Sequence, residues 1–165
     1  MIMEQLLLQN IVEDGFFAAM AAIGFSSISH TPKRTFIISG LAAAAGHALR
    51  YVMMSPSLGN INIILASTTA AFVVGLIAVL MAPLVRVPAE ACLYPSLLPM
   101  IPGMYAYRAV EALISCVSSS SPDNIGSLYS LAFNSTTCLL IILGMVIGAN
   151  IPIFLFKKIS FQTTR

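Results

Sequence analysis

The sequence predicts an all-α integral membrane protein with five transmembrane helices. Its composition, five long apolar stretches and the placement of its basic residues support this. Of its 165 residues, 58% are hydrophobic and 8% charged, and the mean hydropathy is +0.93. A soluble domain carries about 25% charged residues. Eight Lys+Arg and six Asp+Glu cannot cover a protein of this size with a polar surface, so most of that surface faces lipid. A net charge of +2 is too small for a nucleic-acid binder, which neutralises many phosphates. Disorder requires low hydrophobicity and high charge, the reverse of what is found. The length fits one membrane domain spanning residues 1–165. The N-terminal Met1-Ile2-Met3-Glu4 has no basic n-region, so a cleaved signal peptide is not expected.

A membrane helix needs about 20 mostly apolar residues at ~1.5 Å rise each. The first such stretch covers residues 6–29 and stops at His30-Thr31-Pro32-Lys33-Arg34, where proline suits a helix start and the basic pair an interface. The second covers 35–54 and ends in the turn-forming run Ser55-Pro56-Ser57-Leu58-Gly59-Asn60. The third covers 61–84 and ends near Arg86 and Pro88. The fourth, 89–117, is interrupted by prolines, and a polar loop at 118–124 leads into the fifth, 125–156.

Basic residues in short loops set orientation. With five spans, Lys33, Arg34, Arg86, Lys157, Lys158 and Arg165 all fall on one side, six of the eight basic residues, and none falls on the other. The N-terminus is therefore expected outside and the C-terminus inside. An odd number of spans allows a second unit to enter from the opposite side, which is the inverted-repeat arrangement of many secondary transporters. No internal repeat is visible, so the other half would be a separate polypeptide.

Charged groups in lipid need a partner or a water-filled cavity. Asp14 lies about 22 Å outward from Ser29, and Arg50 about 24 Å outward from Arg34, counted along ideal helices. The two reach one level, so they either form an ion pair or snorkel separately to the outer headgroups. His47, one turn before Arg50 on the same helical face, is suited to a proton relay or to a hydrogen-bonded packing role. Asp14, His47 and Arg50 together form the candidate coupling and ion-pair group.

The strongest local signal is Tyr94-Pro95-Ser96-Leu97-Leu98-Pro99-Met100-Ile101-Pro102-Gly103-Met104-Tyr105-Ala106-Tyr107-Arg108-Ala109-Val110-Glu111. Each interior proline removes a helical hydrogen bond and crowds the preceding turn. Prolines this dense, followed by glycine, predict a helix broken near mid-membrane, which is tolerated only against protein or a cavity. A half-helix starting at Gly103 would aim free N–H groups and a positive dipole end into that cavity. Arg108 has the planar fork that matches a carboxylate, and Tyr105 and Tyr107 can donate hydrogen bonds. Pro99, Pro102, Gly103, Tyr105, Tyr107, Arg108 and Glu111 are therefore the candidate substrate-binding residues. The competing reading is a simple kink with a local Arg108–Glu111 pair.

Gly144 and Gly148, and the small-residue face from Gly40 to Gly46, read as close helix contacts. Ser67-Thr68-Thr69 and Asn134-Ser135-Thr136-Thr137 either line a polar path or bond their own backbone. Cys92, Cys116 and Cys138 lack metal or disulfide spacing and read as apolar packing. No phosphate loop, His-Glu-x-x-His or catalytic grouping is present, so neither an enzyme nor a metal or cofactor is expected.

Three motifs carry a family resemblance: Pro32-Lys33-Arg34, Gly46-His47-Ala48-Leu49-Arg50 and Pro99-Met100-Ile101-Pro102-Gly103-Met104-Tyr105-Ala106-Tyr107, with Asp14 as an early acidic residue. In these the chain resembles the small membrane subunit of the threonine/serine exporter family, whose two-component members include a bacterial succinate exporter. The resemblance runs from about Leu6 to Lys158. It implies a multi-pass subunit of the bacterial inner membrane working with a larger partner, which has a similar membrane half and an added N-terminal cytoplasmic domain. It also implies export of small carboxylates or hydroxy amino acids. The alternative is a non-transporting scaffold or anchor that stabilises a partner.

Overall fold

The computed structural model describes residues 2–56, 59–118 and 125–157. The polar loop expected at 118–124 falls outside this range except for Ser118, as do Lys158 and Arg165. Among the described residues there are six α-helices and no strand: α1 (Ile2–Ile28), α2 (Phe36–Met54), α3 (Ile63–Val85), α4 (Ala89–Leu97), α5 (Gly103–Ser118) and α6 (Ile125–Leu155). Short 3₁₀ turns at Lys33–Thr35 and Leu98–Met100 precede α2 and follow α4.

Helix ends follow the local chemistry. After α1, His30 takes a left-handed conformation (φ 53°), its N–H reaches the Ser27 carbonyl and the Thr31 N–H reaches that of Ser26. This is the Schellman arrangement, with Pro32 barring further helix. Arg86 (φ 52°) ends α3 in the same way, with Val87 N–H on the Ala82 carbonyl and Pro88 following. Asn62 caps the start of α3 by accepting from Ile64 N–H at 2.9 Å.

Four stretches are long and apolar enough to cross a membrane: Leu7–Ile28, Lys33–Met54, Ile63–Val85 and Ile125–Leu155. They fall on the predicted first, second, third and fifth spans. The predicted fourth span is divided between α4, of 9 residues, and α5, of 16. At ~1.5 Å per residue neither half reaches across a hydrocarbon core about 30 Å thick. The division falls at the proline cluster. Pro95 is accommodated inside α4, the 3₁₀ turn carries Pro99, and Pro102 separates that turn from α5.

The chain divides into two compact units, Met1–Met100 with Gly144–Arg165, and Ile101–Leu143. In the first, α2 packs against α1, α3 and α4. The contacts are made largely by alanines and glycines, with Ala18, Ala22, Ala43, Ala66, Ala70 and Ala78 buried. Small residues let helix backbones approach where lipid offers no hydrophobic drive to association. The Gly144/Gly148 pair does the same on the C-terminal part of α6. A Cβ on Gly148 would meet the Thr68 carbonyl of α3, and one on Gly144 the Thr68 hydroxyl. Buried hydroxyls add to the seam between α2 and α4: Ser39 donates to the Cys92 carbonyl at 3.2 Å and Ser96 to the Ser39 carbonyl at 3.0 Å. Large apolar side chains point outward, among them Phe17, Ile37 and Leu84, as a lipid-facing surface requires.

Candidate functional site: a buried charge cluster and a polar cavity

The first unit holds a cluster drawn from three elements. Asp14 of α1 meets His47 of α2, with 3.2 Å between Asp14 Oδ2 and His47 Nδ1. When the carboxylate is the acceptor, Nδ1–H of the ring is the donor. His47 is buried, and its Nε2 has no hydrogen-bond partner among the described residues. The Pro99 backbone adjoins the ring. Arg50 donates from Nη1 to the Met100 carbonyl at 3.1 Å and lies within electrostatic reach of Asp14.

This corrects one expectation. Arg50 lies within electrostatic reach of Asp14, but the direct partner of Asp14 is His47. Counting along two helices fixes height to within a turn and leaves rotation open, and His47 is the residue on that face whose ring reaches α1.

The second unit holds a cavity of about 360 Å³ between α5 and the first half of α6. Arg108, Glu111 and Ser115 line it from α5, and Ser127, Ser130 and Asn134 from α6. Arg108 and Glu111 are exposed and form no ion pair among the described residues. The local pair of the competing reading is therefore not formed, and both charges stay available. The Asn134 amide donates to the Ser130 carbonyl at 2.7 Å, which leaves its side-chain oxygen for another donor.

The remaining sequence candidates are dispersed. Pro102 is buried, and its carbonyl accepts from Tyr105 and Ala106 N–H as α5 begins. Gly103 opens α5, and beyond its own helix backbone and chain neighbours no atom of the described residues lies within 4 Å of where a Cβ would sit. Tyr107 lines a separate, more apolar groove along α5 with Glu111, and Tyr105 is half-buried outside both pockets. Pro99 belongs to the His47 cluster. Sequence reasoning missed Ser115, Ser127 and Ser130. Ser127, Ser130 and Asn134 do recur at i, i+3 and i+7 on one face of α6, but Ser135, Thr136 and Thr137 follow on the same helix and mask the pattern. Thr68 and Thr69 bond their own backbone carbonyls, Ile64 and Leu65, so they follow the backbone-bonding reading.

Four long apolar helices without a strand among the described residues define a multi-pass α-helical membrane protein. The chain belongs to the threonine/serine exporter family: residues 14–155 match the family described as Threonine/Serine exporter, ThrE. An uncharacterised protein of Haemophilus influenzae is 26% identical over 150 residues, covering 90% of this chain and 48% of the relative. The chain thus spans about half the length of that curated relative. No solved structure matches.

Proposed function

We propose that this chain is the small membrane subunit of a two-component secondary exporter for hydroxy amino acids of the threonine/serine type. The observation that carries the reading is the cavity in which Arg108 and Glu111, without an ion-pair partner among the described residues, stand beside serine and asparagine side chains. A guanidinium takes a carboxylate through two parallel hydrogen bonds. A carboxylate one turn away takes an ammonium, and hydroxyls and an amide suit a side-chain hydroxyl. A dicarboxylate such as succinate satisfies Arg108 but sets its second charge against Glu111.

Asp14 and His47 are the proposed coupling residues, because they form a carboxylate–imidazole contact between two apolar helices, a pair of groups able to exchange a proton. The assembly reading has two supports. The broken fourth stretch, α4 with α5, can complete a fifth crossing, and in the Haemophilus relative the matching segment leaves room for a second one of like size. The larger subunit, the inner-membrane location and the inverted pairing of halves are part of this proposal.

The test is efflux from cells preloaded with radiolabelled threonine or succinate, comparing a deletion strain with one carrying the gene. Threonine efflux restored with succinate efflux unchanged supports the reading. Succinate efflux alone shows that the dicarboxylate assignment is right, and neither, with the protein inserted, shows a scaffold. Topology is checked separately. Green fluorescent protein fused after Arg165 is expected to fluoresce, as it does on the cytoplasmic side, and an alkaline phosphatase insert at 119–124 is expected to be active, as it is outside. Four crossings in place of five would put the N-terminus on the cytoplasmic side.

A further inference from the structure

The interruption between α4 and α5 leaves a backbone problem at its first end. Met100 is fully buried and closes the 3₁₀ turn after α4. No helix continues from it to supply an N–H, and Pro102 has none to give. Local backbone bonds around the break go elsewhere: Gly103 N–H to the Ile101 carbonyl, and Tyr105 and Ala106 N–H to that of Pro102. A buried carbonyl without a donor is strongly unfavourable, more so in a membrane protein where water is scarce. The donor that reaches it is Arg50 Nη1, at 3.1 Å from α2.

Two further facts fit this contact. The end of a helical segment carries a partial negative charge, which a guanidinium complements. One turn before Arg50 on α2, Gly46 brings the backbone close: a Cβ there would lie 3.3 Å from Met100 Sδ and would also strike the Val74 side chain. The missing side chain lets α2 approach the turn, and Arg50 then reaches past it to the carbonyl. Asp14 is held by His47, so its charge attracts Arg50 without taking its donors.

We propose that Arg50 is a positioning residue of the exporter: from α2 it caps the C-terminal end of the α4 segment at the Met100 carbonyl and so holds in place the break that the prolines make. This deepens the exporter reading and rests on it for its link to transport. Arg50 thereby acts through the backbone of the break, separately from the Asp14–His47 pair, and touches no solute.

The test uses the full-length protein in two measurements. Labelling with ¹³C-carbonyl methionine and ¹⁵N isoleucine marks two peptide bonds, Met1–Ile2 and Met100–Ile101, and Met100→Leu assigns the second. In lipid nanodiscs the Met100 carbonyl resonance is expected to move upfield in Arg50→Met, as a carbonyl does on losing a hydrogen bond, and to stay near its original position in Arg50→Lys. An unmoved resonance in Arg50→Met overturns the cap, whether or not the cells export threonine. In the efflux assay, at equal protein in the membrane, Arg50→Lys is expected to stay within about threefold of wild type and Arg50→Met to fall by tenfold or more, about the loss of one charge-assisted hydrogen bond. In Asp14→Asn the Met100 carbonyl resonance is expected to stay near its wild-type position; if it moves as in Arg50→Met, Asp14 rather than the carbonyl holds Arg50 and the positioning role is overturned. Efflux unchanged in Arg50→Met despite a moved resonance overturns it equally. Absence of threonine efflux in wild-type cells refutes the exporter reading instead, and the resonance then decides the cap alone.

Discussion

Arg108→Ala is expected to lower threonine efflux by about a hundredfold with the amount of protein in the membrane unchanged, the size of effect produced by losing one or two hydrogen bonds to a charged group. Arg108 is exposed to a cavity with no ion-pair partner among the described residues, so its removal leaves no buried counter-charge behind and α5 has no reason to misfold. Alanine is also a better helix former than most residues. The loss therefore falls on solute binding, read as efflux of labelled threonine against immunodetected protein. Arg108→Lys should recover only part of it, because an ammonium cannot make the paired bonds of the guanidinium fork. Glu111→Gln is expected to narrow the preference for threonine over succinate by about tenfold, since it removes both the ammonium partner and the repulsion of a second carboxylate. Full efflux in Arg108→Ala would place the solute elsewhere.

The second large effect concerns folding. Gly148→Val is expected to prevent stable accumulation in the membrane, because its Cβ would strike the Thr68 carbonyl and approach the Phe72 backbone nitrogen at 3.3 Å. Backbone on both sides cannot step aside as a flexible side chain can. The helices must separate, at a cost of about 1–3 kcal/mol or more for overpacking. The control is Gly24→Ala, where a Cβ meets nothing within 4 Å. There the change should be neutral or slightly stabilising, by up to about 1 kcal/mol from helix propensity. Steady-state level and the thermal midpoint in detergent measure both. Equal behaviour of the two variants would mean that α6 does not pack on α3 through this glycine.

The break in the fourth stretch was legible because its cause is local. A proline lacks its N–H and crowds the previous turn wherever the chain goes, so Pro99, Pro102 and Gly103 mark an interruption without reference to any neighbour. The close contacts of Gly144 and Gly148 were legible for a related reason, since small residues four apart offer a smooth face to whatever packs there. The identity of that neighbour, α3 through Thr68, was not. In the cavity, Arg108 and Glu111 announced themselves as charges in an apolar protein. Ser127 and Ser130 did not, because serines in a membrane helix usually bond their own backbone and the same letters serve both roles.

The sequence by itself determined which stretches are helical and apolar, where one of them fails and which polar groups lie among them. These follow from hydropathy and from backbone hydrogen bonding, each residue by residue. Only the tertiary structure decided partners: Asp14 with His47, Arg50 with the Met100 carbonyl, and Arg108 and Glu111 facing Ser127, Ser130 and Asn134. A step of one residue turns a side chain by about 100° and raises it ~1.5 Å. Contact between helices thus depends on rotation and register, which the packing of alanines, glycines and buried hydroxyls sets and a linear pattern does not record.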